Sequence, residues 1–110
     1  MFCPWYPLTE ALDFIPKQSG ILQIKQKSGL IEYPTGKSAM VLYAFGDDLN
    51  KELNVALTGF ESHSRGNYMC RHGLEMTGHD RKKFEELLLR FDKRFGRMPL
   101  LQEKAKNQVF

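Results

Sequence analysis

The order of apolar and polar residues along the chain predicts a small sheet accompanied by helices. Four segments have strand-like patterns: 20–27, 30–33, 39–45 and 67–75. Ser28-Gly29 has the composition of a tight turn, so the first two of these segments are expected to form a hairpin. The third is an uninterrupted apolar run, which is typical of a central strand covered on both faces.

Two segments, 48–57 and 81–95, repeat apolar residues at the period of an amphipathic helix. Asp47 or Asp48 is the predicted N-cap of the first, because a short acidic side chain accepts hydrogen bonds from exposed amides. Its expected inner face consists of Leu49, Leu53, Ala56 and Leu57. The expected inner face of the second helix consists of Phe84, Leu87, Leu88, Phe91 and Phe95. Gly96 is expected to end that helix.

The shorter elements are predicted from residues that cap helices, end them or favour loops. A short helix is predicted over 7–15, with Thr9 as a candidate N-cap and Pro16 as its stop. Its expected inner face consists of Leu8, Leu12 and Ile15. The segments 34–38 and 58–67 have the polar, glycine-containing composition of loops.

Together these elements predict an α+β fold in which helices flank a small, mainly antiparallel sheet of three or four strands. The length of 110 residues fits one domain, 1–110, with 102–110 as a frayed polar tail. A membrane-spanning helix needs about 20 consecutive apolar residues, and no apolar run of the sequence approaches that length. A secretory signal is not expected either, because prolines interrupt the apolar residues 1–8 and no basic residue precedes them. The expected location is therefore cytoplasmic or nuclear, with no membrane partner and with Cys3 and Cys70 as free thiols.

Charge is distributed unevenly along the chain. Residues 1–55 carry a net charge of −1, whereas residues 56–110 carry +4 and every arginine. The guanidinium fork donates two parallel hydrogen bonds to a phosphate. The basic half therefore permits a nucleic-acid partner without requiring one.

Tyrosine and arginine side chains on the predicted strands and in the loop between the helices form the candidate site. They are Tyr33, Tyr43, Arg65 and Arg71, with Lys37 as a further nucleic-acid contact. If they converge on one face of a small sheet, they would hold a phosphodiester. The alternative is a hydrated loop together with tyrosines whose rings are buried, which is the commoner arrangement.

Cysteine and histidine offer two weaker alternatives. Cys70, His72 and His79, with Glu75 between them, contain only one close pair of the kind that structural zinc sites repeat. A cysteine–histidine nucleophile is disfavoured because no predicted helix N-terminus stabilises a Cys70 thiolate. A strand cysteine with surface histidines is the favoured interpretation.

The order of three short motifs resembles the GIY-YIG nuclease family. Residues 15–22 resemble its proline-containing entry into a Gly-Ile-Tyr strand. Residues 41–49 resemble its Tyr-Ile-Gly strand with an Asp-Leu helix start, for which 33–38 is a rival register. Residues 84–101 resemble its closing helix with an aromatic-Gly-x-x-Pro exit.

The resemblance implies metal-dependent hydrolysis of a phosphodiester. In that chemistry a tyrosine activates water, an arginine stabilises the phosphoryl charge, and a glutamate holds one Mg²⁺ or Mn²⁺. The candidates for these roles are Tyr33 or Tyr43, Arg65 or Arg71, and Glu85 or Glu86. The motifs also depart from the family, since Leu22 replaces its tyrosine and Glu52 stands where its helix arginine is expected.

These departures favour a non-catalytic, cofactor-free GIY-YIG-like domain. Its expected partner is nucleic acid, bound through the face that carries Tyr43, Arg65 and Arg71. One alternative is an active nuclease with relocated catalytic residues and one divalent metal ion. The other is a protein–protein interaction module.

Overall fold

The predicted α+β class is confirmed by a computed structural model, which describes residues 2–74 and 80–102. Within these residues, the strands form a four-stranded antiparallel sheet and a separate two-stranded hairpin. The strands are β1 (Tyr6–Pro7), β2 (Gly20–Gln26), β3 (Ile31–Tyr33), β4 (Gly36–Ser38), β5 (Met40–Gly46) and β6 (Tyr68–Leu74). The helices are α1 (Ala11–Phe14), α2 (Leu49–Leu57) and α3 (Asp80–Phe95), with 3-10 turns at Leu8–Glu10 and Ser62–Asn67.

Strand β2 lies at the centre of the four-stranded sheet, whose order is β1-β6-β2-β5. It pairs with β5 from Gly20 opposite Gly46 to Lys25 opposite Met40, and it pairs with β6 along its whole length. A Cβ atom at Gly20 would collide with the carbonyl oxygen of Gly73 on β6. Glycine at this position therefore allows the two strands to approach closely.

The apolar run at 39–45 forms β5, but the prediction of a central position for it is wrong, because β5 is an edge strand. The later strand β6 pairs with the other side of β2 and leaves β5 outside. The chain covers this edge with its own residues, as Leu101 N donates to the Val41 carbonyl (3.0 Å). The Gln102 side chain accepts from Tyr43 N (3.0 Å) and donates to Tyr43 O (2.8 Å). One amide side chain thus satisfies two backbone groups that a neighbouring strand would otherwise pair.

The predicted hairpin between 20–27 and 30–33 is also wrong. Strand β3 pairs with β4, with Tyr33 opposite Gly36, and the segment predicted as a loop therefore contains a strand. Gly29 turns the chain with a φ of 79°, a conformation that glycine adopts without steric cost. The seven-residue β5 offers β2 more backbone pairs than the three-residue β3, so β5 takes the position beside β2.

Helices α1 and α2 pack on one face of the sheet and form the larger apolar core. The predicted inner face of α2 is confirmed, since its buried residues are Leu49, Leu53, Ala56 and Leu57. Asp48 is the N-cap, and its Oδ1 accepts from the amides of Asn50 (2.9 Å) and Lys51 (3.3 Å). The cap and the apolar stripe together fix where α2 begins and which side it buries.

Two shorter elements differ from their predictions. Ala11 is buried in place of Leu12, which is 48% exposed. Thr9 lies inside the 3-10 turn at Leu8–Glu10 and caps no helix. The tighter winding of that turn shifts the inward positions away from regular α-helical spacing. The segment 58–67, predicted as a loop, contains the second 3-10 turn.

Helix α3 packs on the opposite face of the sheet, against β5 and the β3–β4 hairpin. Phe91 is 4% exposed, and its ring centroid lies 5.0 Å from that of Tyr33 and 6.2 Å from that of Tyr43. The partly buried residues around it include Phe84, Leu87, Leu88 and Phe95, which confirms the predicted stripe. Gly96 ends the helix with a φ of 81°, and its amide donates to the Asp92 carbonyl (2.8 Å).

Some expectations fall outside the described residues. They are the last residue of the strand predicted at 67–75, the zinc candidates Glu75 and His79, and residues 103–110 of the expected tail. Gln102, the first residue of the expected frayed tail, is hydrogen bonded to β5 as described above. Across the described part of the chain, no helix has the length and apolar content needed to cross a membrane.

Replacing Phe91 by alanine should lower the free energy of unfolding by about 3–5 kcal/mol, because it leaves a cavity among three aromatic rings. The matched control is Leu89→Ala on the same helix, where the side chain is 67% exposed and the expected loss is under about 1 kcal/mol. Urea denaturation followed by circular dichroism measures both. Equal losses in the two variants would contradict the packing of α3.

Candidate nucleic-acid interface

The two candidate tyrosines are core residues. The Tyr33 hydroxyl donates to the Met40 carbonyl (2.6 Å) and accepts from the Leu100 amide (3.1 Å). Tyr43 is 8% exposed and packs against Phe91. Burial raises the pKa of both phenols above the ordinary value. A tyrosine that activates water must release its proton readily, whereas these two environments retain it.

The two candidate arginines lie on different sides of the sheet. Arg71 on β6 stands directly opposite Gln23 on β2, and its Nε donates to Gln23 Oε1 (2.7 Å). Tyr43 stands opposite Gln23 from β5, so these three residues share the α3 side of the sheet. Arg65 instead donates from Nη2 to the carbonyl of Leu57 (3.1 Å), the last residue of α2 on the other side. Of the three residues predicted to share one face, Tyr43 and Arg71 lie on the α3 side of the sheet, and Arg65 lies on the α2 side.

The other predicted site residues are exposed. Lys37 Nζ lies 3.4 Å from Glu32 Oε1, and such an exposed ion pair contributes little to stability. Glu85 and Glu86 face solvent on α3, away from the side that buries Phe91. In the described part of the chain, no three Asp, Glu, His or Cys side chains are arranged to hold a metal ion. The candidate glutamates thus lie on the solvent side of α3, whereas Tyr33 and Tyr43 pack against its buried side.

A set of basic and aromatic side chains, mostly absent from the sequence-predicted site, meets on the α3 side of the sheet. In spatial order this cation–ring row consists of Lys25, Trp5, Arg71, Phe2 and Lys83. The Trp5 ring centroid lies 4.3 Å from Lys25 Nζ and 4.4 Å from Arg71 Cζ. The Phe2 centroid lies 4.8 Å from Arg71 Cζ and 5.9 Å from Lys83 Nζ. Each cation is attracted by the electron-rich face of its ring, and all five side chains are half-buried, so solvent still reaches them.

Backbone pairing of the N-terminal segment with β6 assembles the row. Phe2 forms a β-bridge with Gly73, and Tyr6 pairs with Cys70, so residues 2–7 run antiparallel along β6. Successive side chains of an extended chain point to opposite faces of the sheet. Tyr6 is buried in the larger core, and Trp5 therefore lies on the other face, beside the basic residues.

No carboxylate of the described residues is paired with Lys25 or Arg71, the two cations beside Trp5. The ion pairs Lys37–Glu32 and His63–Glu61 lie elsewhere and involve neither Lys25 nor Arg71. Gln23 is 3% exposed and neutral, and its amide oxygen orients Arg71 without neutralising it. Oriented and uncompensated cations beside aromatic rings are suited to bind an anion that also carries flat, apolar groups.

A second polar cluster lies on the α2 side, between the N-terminal segment and β6. The Tyr6 hydroxyl is 2.8 Å from His72 Nδ1, and Cys3 Sγ is 3.5 Å from the same nitrogen. Cys70 Sγ donates to the Tyr6 hydroxyl at 3.8 Å. Burial raises the pKa of Cys70 to about 12, raises the pKa of Tyr6 and lowers the pKa of His72. Each shift favours the neutral form, so the cluster is a structural polar network and not an activated nucleophile.

The raised tyrosine pKa values predict a loss of stability in alkali. An unfolded phenol ionises at its ordinary pKa of about 10, whereas the folded phenols of Tyr33 and Tyr43 keep their protons to higher pH. Their contribution to stability is complete below about pH 10 and is lost as pH rises through the folded pKa values. Urea denaturation at several pH values should show this decline, and Tyr43→Phe should make it shallower. An unchanged slope in that variant would show that Tyr43 ionises alike in both states.

Sequence similarity does not assign the chain to a family. No family model matches the chain, and no curated protein matches it. The relationship to GIY-YIG nucleases therefore remains a prediction from three short motifs. The geometry of the cation–ring row is independent of that prediction, because it follows from the pairing and contacts of this chain alone.

Proposed function

We propose that the chain binds nucleic acid through the cation–ring row and does not hydrolyse it. The observation that carries this proposal is the placement of Lys25 and Arg71 over the Trp5 ring, with no carboxylate paired to either cation in the described residues. Phosphates are the anions that an arginine fork binds best, and nucleic acids combine phosphates with planar bases. The row offers a partner for each of these groups.

The positions of the candidate catalytic tyrosines and glutamates support the proposal that the chain does not hydrolyse nucleic acid. Burial keeps the protons on Tyr33 and Tyr43, and Glu85 and Glu86 face solvent away from both tyrosines. Removal of one electrostatic stabiliser typically slows an enzyme by about 10²–10³. A site without a positioned base, arginine and metal ligand would lack several such contributions at once.

Glu52 adds a repulsive element at the place where the GIY-YIG resemblance implies an arginine. Its side chain lies directly against Gly46, and a Cβ atom at that glycine would collide with the carboxylate. Burial raises the pKa of Glu52, and the nearby Asp47 and Asp48 raise it further. Three acidic groups at the start of α2 disfavour a phosphate there and support the proposal that this end of the sheet is not a nuclease site.

A relationship to GIY-YIG domains is part of this proposal. Gly20 begins the central strand, β5 runs beside it, and Asp48-Leu49 starts the following helix, which is the order that the resemblance implies. On this view the chain retains the sheet and helices of the family. The binding surface is then supplied by the N-terminal segment and β6.

Fluorescence anisotropy with labelled DNA and RNA should detect binding that weakens steeply with salt. Contacts from about three cations predict a slope of log K against log salt of about −2 for a single strand. Lys25→Ala and Arg71→Ala should each weaken binding and make the slope shallower by about 0.7. Lys51→Ala is the matched control, since Lys51 is an exposed cation on α2 at the other face, and it should bind like the parent chain.

The same mixtures, incubated with Mg²⁺ or Mn²⁺ and separated on a denaturing gel, test hydrolysis. We expect intact oligonucleotides at every time point. Metal-dependent cleavage that Glu85→Gln or Glu86→Gln abolishes would replace the proposal with the nuclease alternative. Absence of binding at low salt would remove the nucleic-acid function and leave the protein-interaction alternative.

A further inference from the structure

We propose that the cation–ring row selects single-stranded nucleic acid by stacking an unpaired base on Trp5. This inference rests on the proposed function and adds the class of ligand to it. In a duplex both faces of each base are covered by neighbouring bases, and only the phosphates and the base edges are open to a protein. A row that contained cations alone would therefore serve a duplex equally well.

The aromatic rings of the row favour a single strand over a duplex. A ring held beside a backbone-tracking cation is the arrangement with which proteins bind single strands, because every unpaired base has a face that stacks on it. Trp5 and Phe2 both lie within 5 Å of the Arg71 guanidinium carbon, at 4.4 and 4.8 Å. The rings of Trp5 and Phe2 and the guanidinium of Arg71 thus form a continuous group of planar surfaces beside β6.

The anchoring of Arg71 makes this group rigid before a ligand arrives. Gln23 lies in the central strand, is 3% exposed, and holds Arg71 Nε at 2.7 Å. The rings are fixed in turn by the pairing of residues 2–7 with β6. A preordered stacking surface loses little side-chain entropy when a base docks, which favours binding of an otherwise flexible strand.

The lysines beside the rings supply positive charge for the phosphates of a single strand. Lys25 Nζ lies 4.3 Å from the centroid of Trp5, the ring on which the base is proposed to stack, and Lys83 Nζ lies 5.9 Å from the Phe2 centroid. A lysine ammonium can leave the ring face and follow a phosphate, because its stem has several rotatable bonds. A base can then occupy the vacated ring face while the same lysine keeps its charge on the adjoining backbone.

Trp5 is the only tryptophan of the chain, so tryptophan fluorescence, excited selectively over the four tyrosines, reports on this position alone. The full chain is titrated at low salt with an unlabelled single strand of about 12 nucleotides, and separately with the corresponding duplex. The single strand should quench Trp5 fluorescence saturably, at concentrations that match its binding by anisotropy. The duplex should quench little even at concentrations where anisotropy shows it bound.

Substitution of Trp5 distinguishes stacking from a merely structural role. Trp5→Ala should weaken single-strand binding by about 5- to 150-fold, as expected for the loss of one stacked base, and should change duplex binding by less than about twofold. Trp5→Phe keeps a ring and should recover most of the single-strand affinity. Equal loss for both ligands in Trp5→Ala would overturn the inference.

The outcomes separate this inference from the proposed function. Salt-sensitive binding of both ligands without quenching, or with equal quenching by both, would overturn single-strand selection while the nucleic-acid function stands. Absence of binding to either ligand would overturn both. Quenching by the single strand alone, lost in Arg71→Ala and retained in Lys51→Ala, is the result that the geometry predicts.

Discussion

The pairing of strand β2 on both of its sides is the constraint on which the rest of the fold depends. Its residues from Gly20 to Ile24 are all buried, and β5 and β6 are aligned by their registers with it. Because the two neighbours come from distant parts of the chain, closing this sheet also brings α2 to one face and α3 to the other. Gly20 permits the close approach of β2 to β6, since a Cβ atom there would collide with the backbone of β6.

The same strand links the fold to the proposed function through one polar residue. A buried glutamine in a central strand is destabilising unless its amide is hydrogen bonded. Gln23 meets that requirement by accepting from Arg71, and the bond orients a cation toward the rings of Phe2 and Trp5. The polar group in the sheet is thus stabilised by the interaction that also orders the proposed binding surface.

The periodic parts of the fold could be predicted from the sequence. Helix α2 carries its N-cap and its apolar stripe within nine residues, and Phe84 to Phe95 repeats so regularly that one face had to be buried. Strand pairing could not be predicted, because β3 and β5 both have strand-like patterns. The local pattern of a segment does not indicate which other strand it pairs with. The edge position of β5 depended in turn on β6, which lies beyond α2 in the chain.

The proposed binding surface could be predicted from the sequence less fully than the fold, for a related reason. Tyrosine and arginine are used both in cores and in binding sites, and residue type does not distinguish Tyr33 against Phe91 from a tyrosine in a cleft. Arg71 is among the sequence-predicted candidates, but Phe2 and Trp5 are about 70 residues away in sequence and join it only through pairing with β6. The dense aromatic content before residue 8 was the one available signal.

The central claim, that nucleic acid meets this chain on the row anchored by Gln23, is tested most directly by locating the contact. Ultraviolet crosslinking of the full chain to a single-stranded oligonucleotide, followed by mass spectrometry of the crosslinked peptides, identifies the residues that touch a base. The account predicts crosslinks at Trp5 or Phe2 and in the β6 peptide that contains Arg71. Crosslinks confined to α2 and the turn at Ser62–Asn67, on the opposite face, would contradict it.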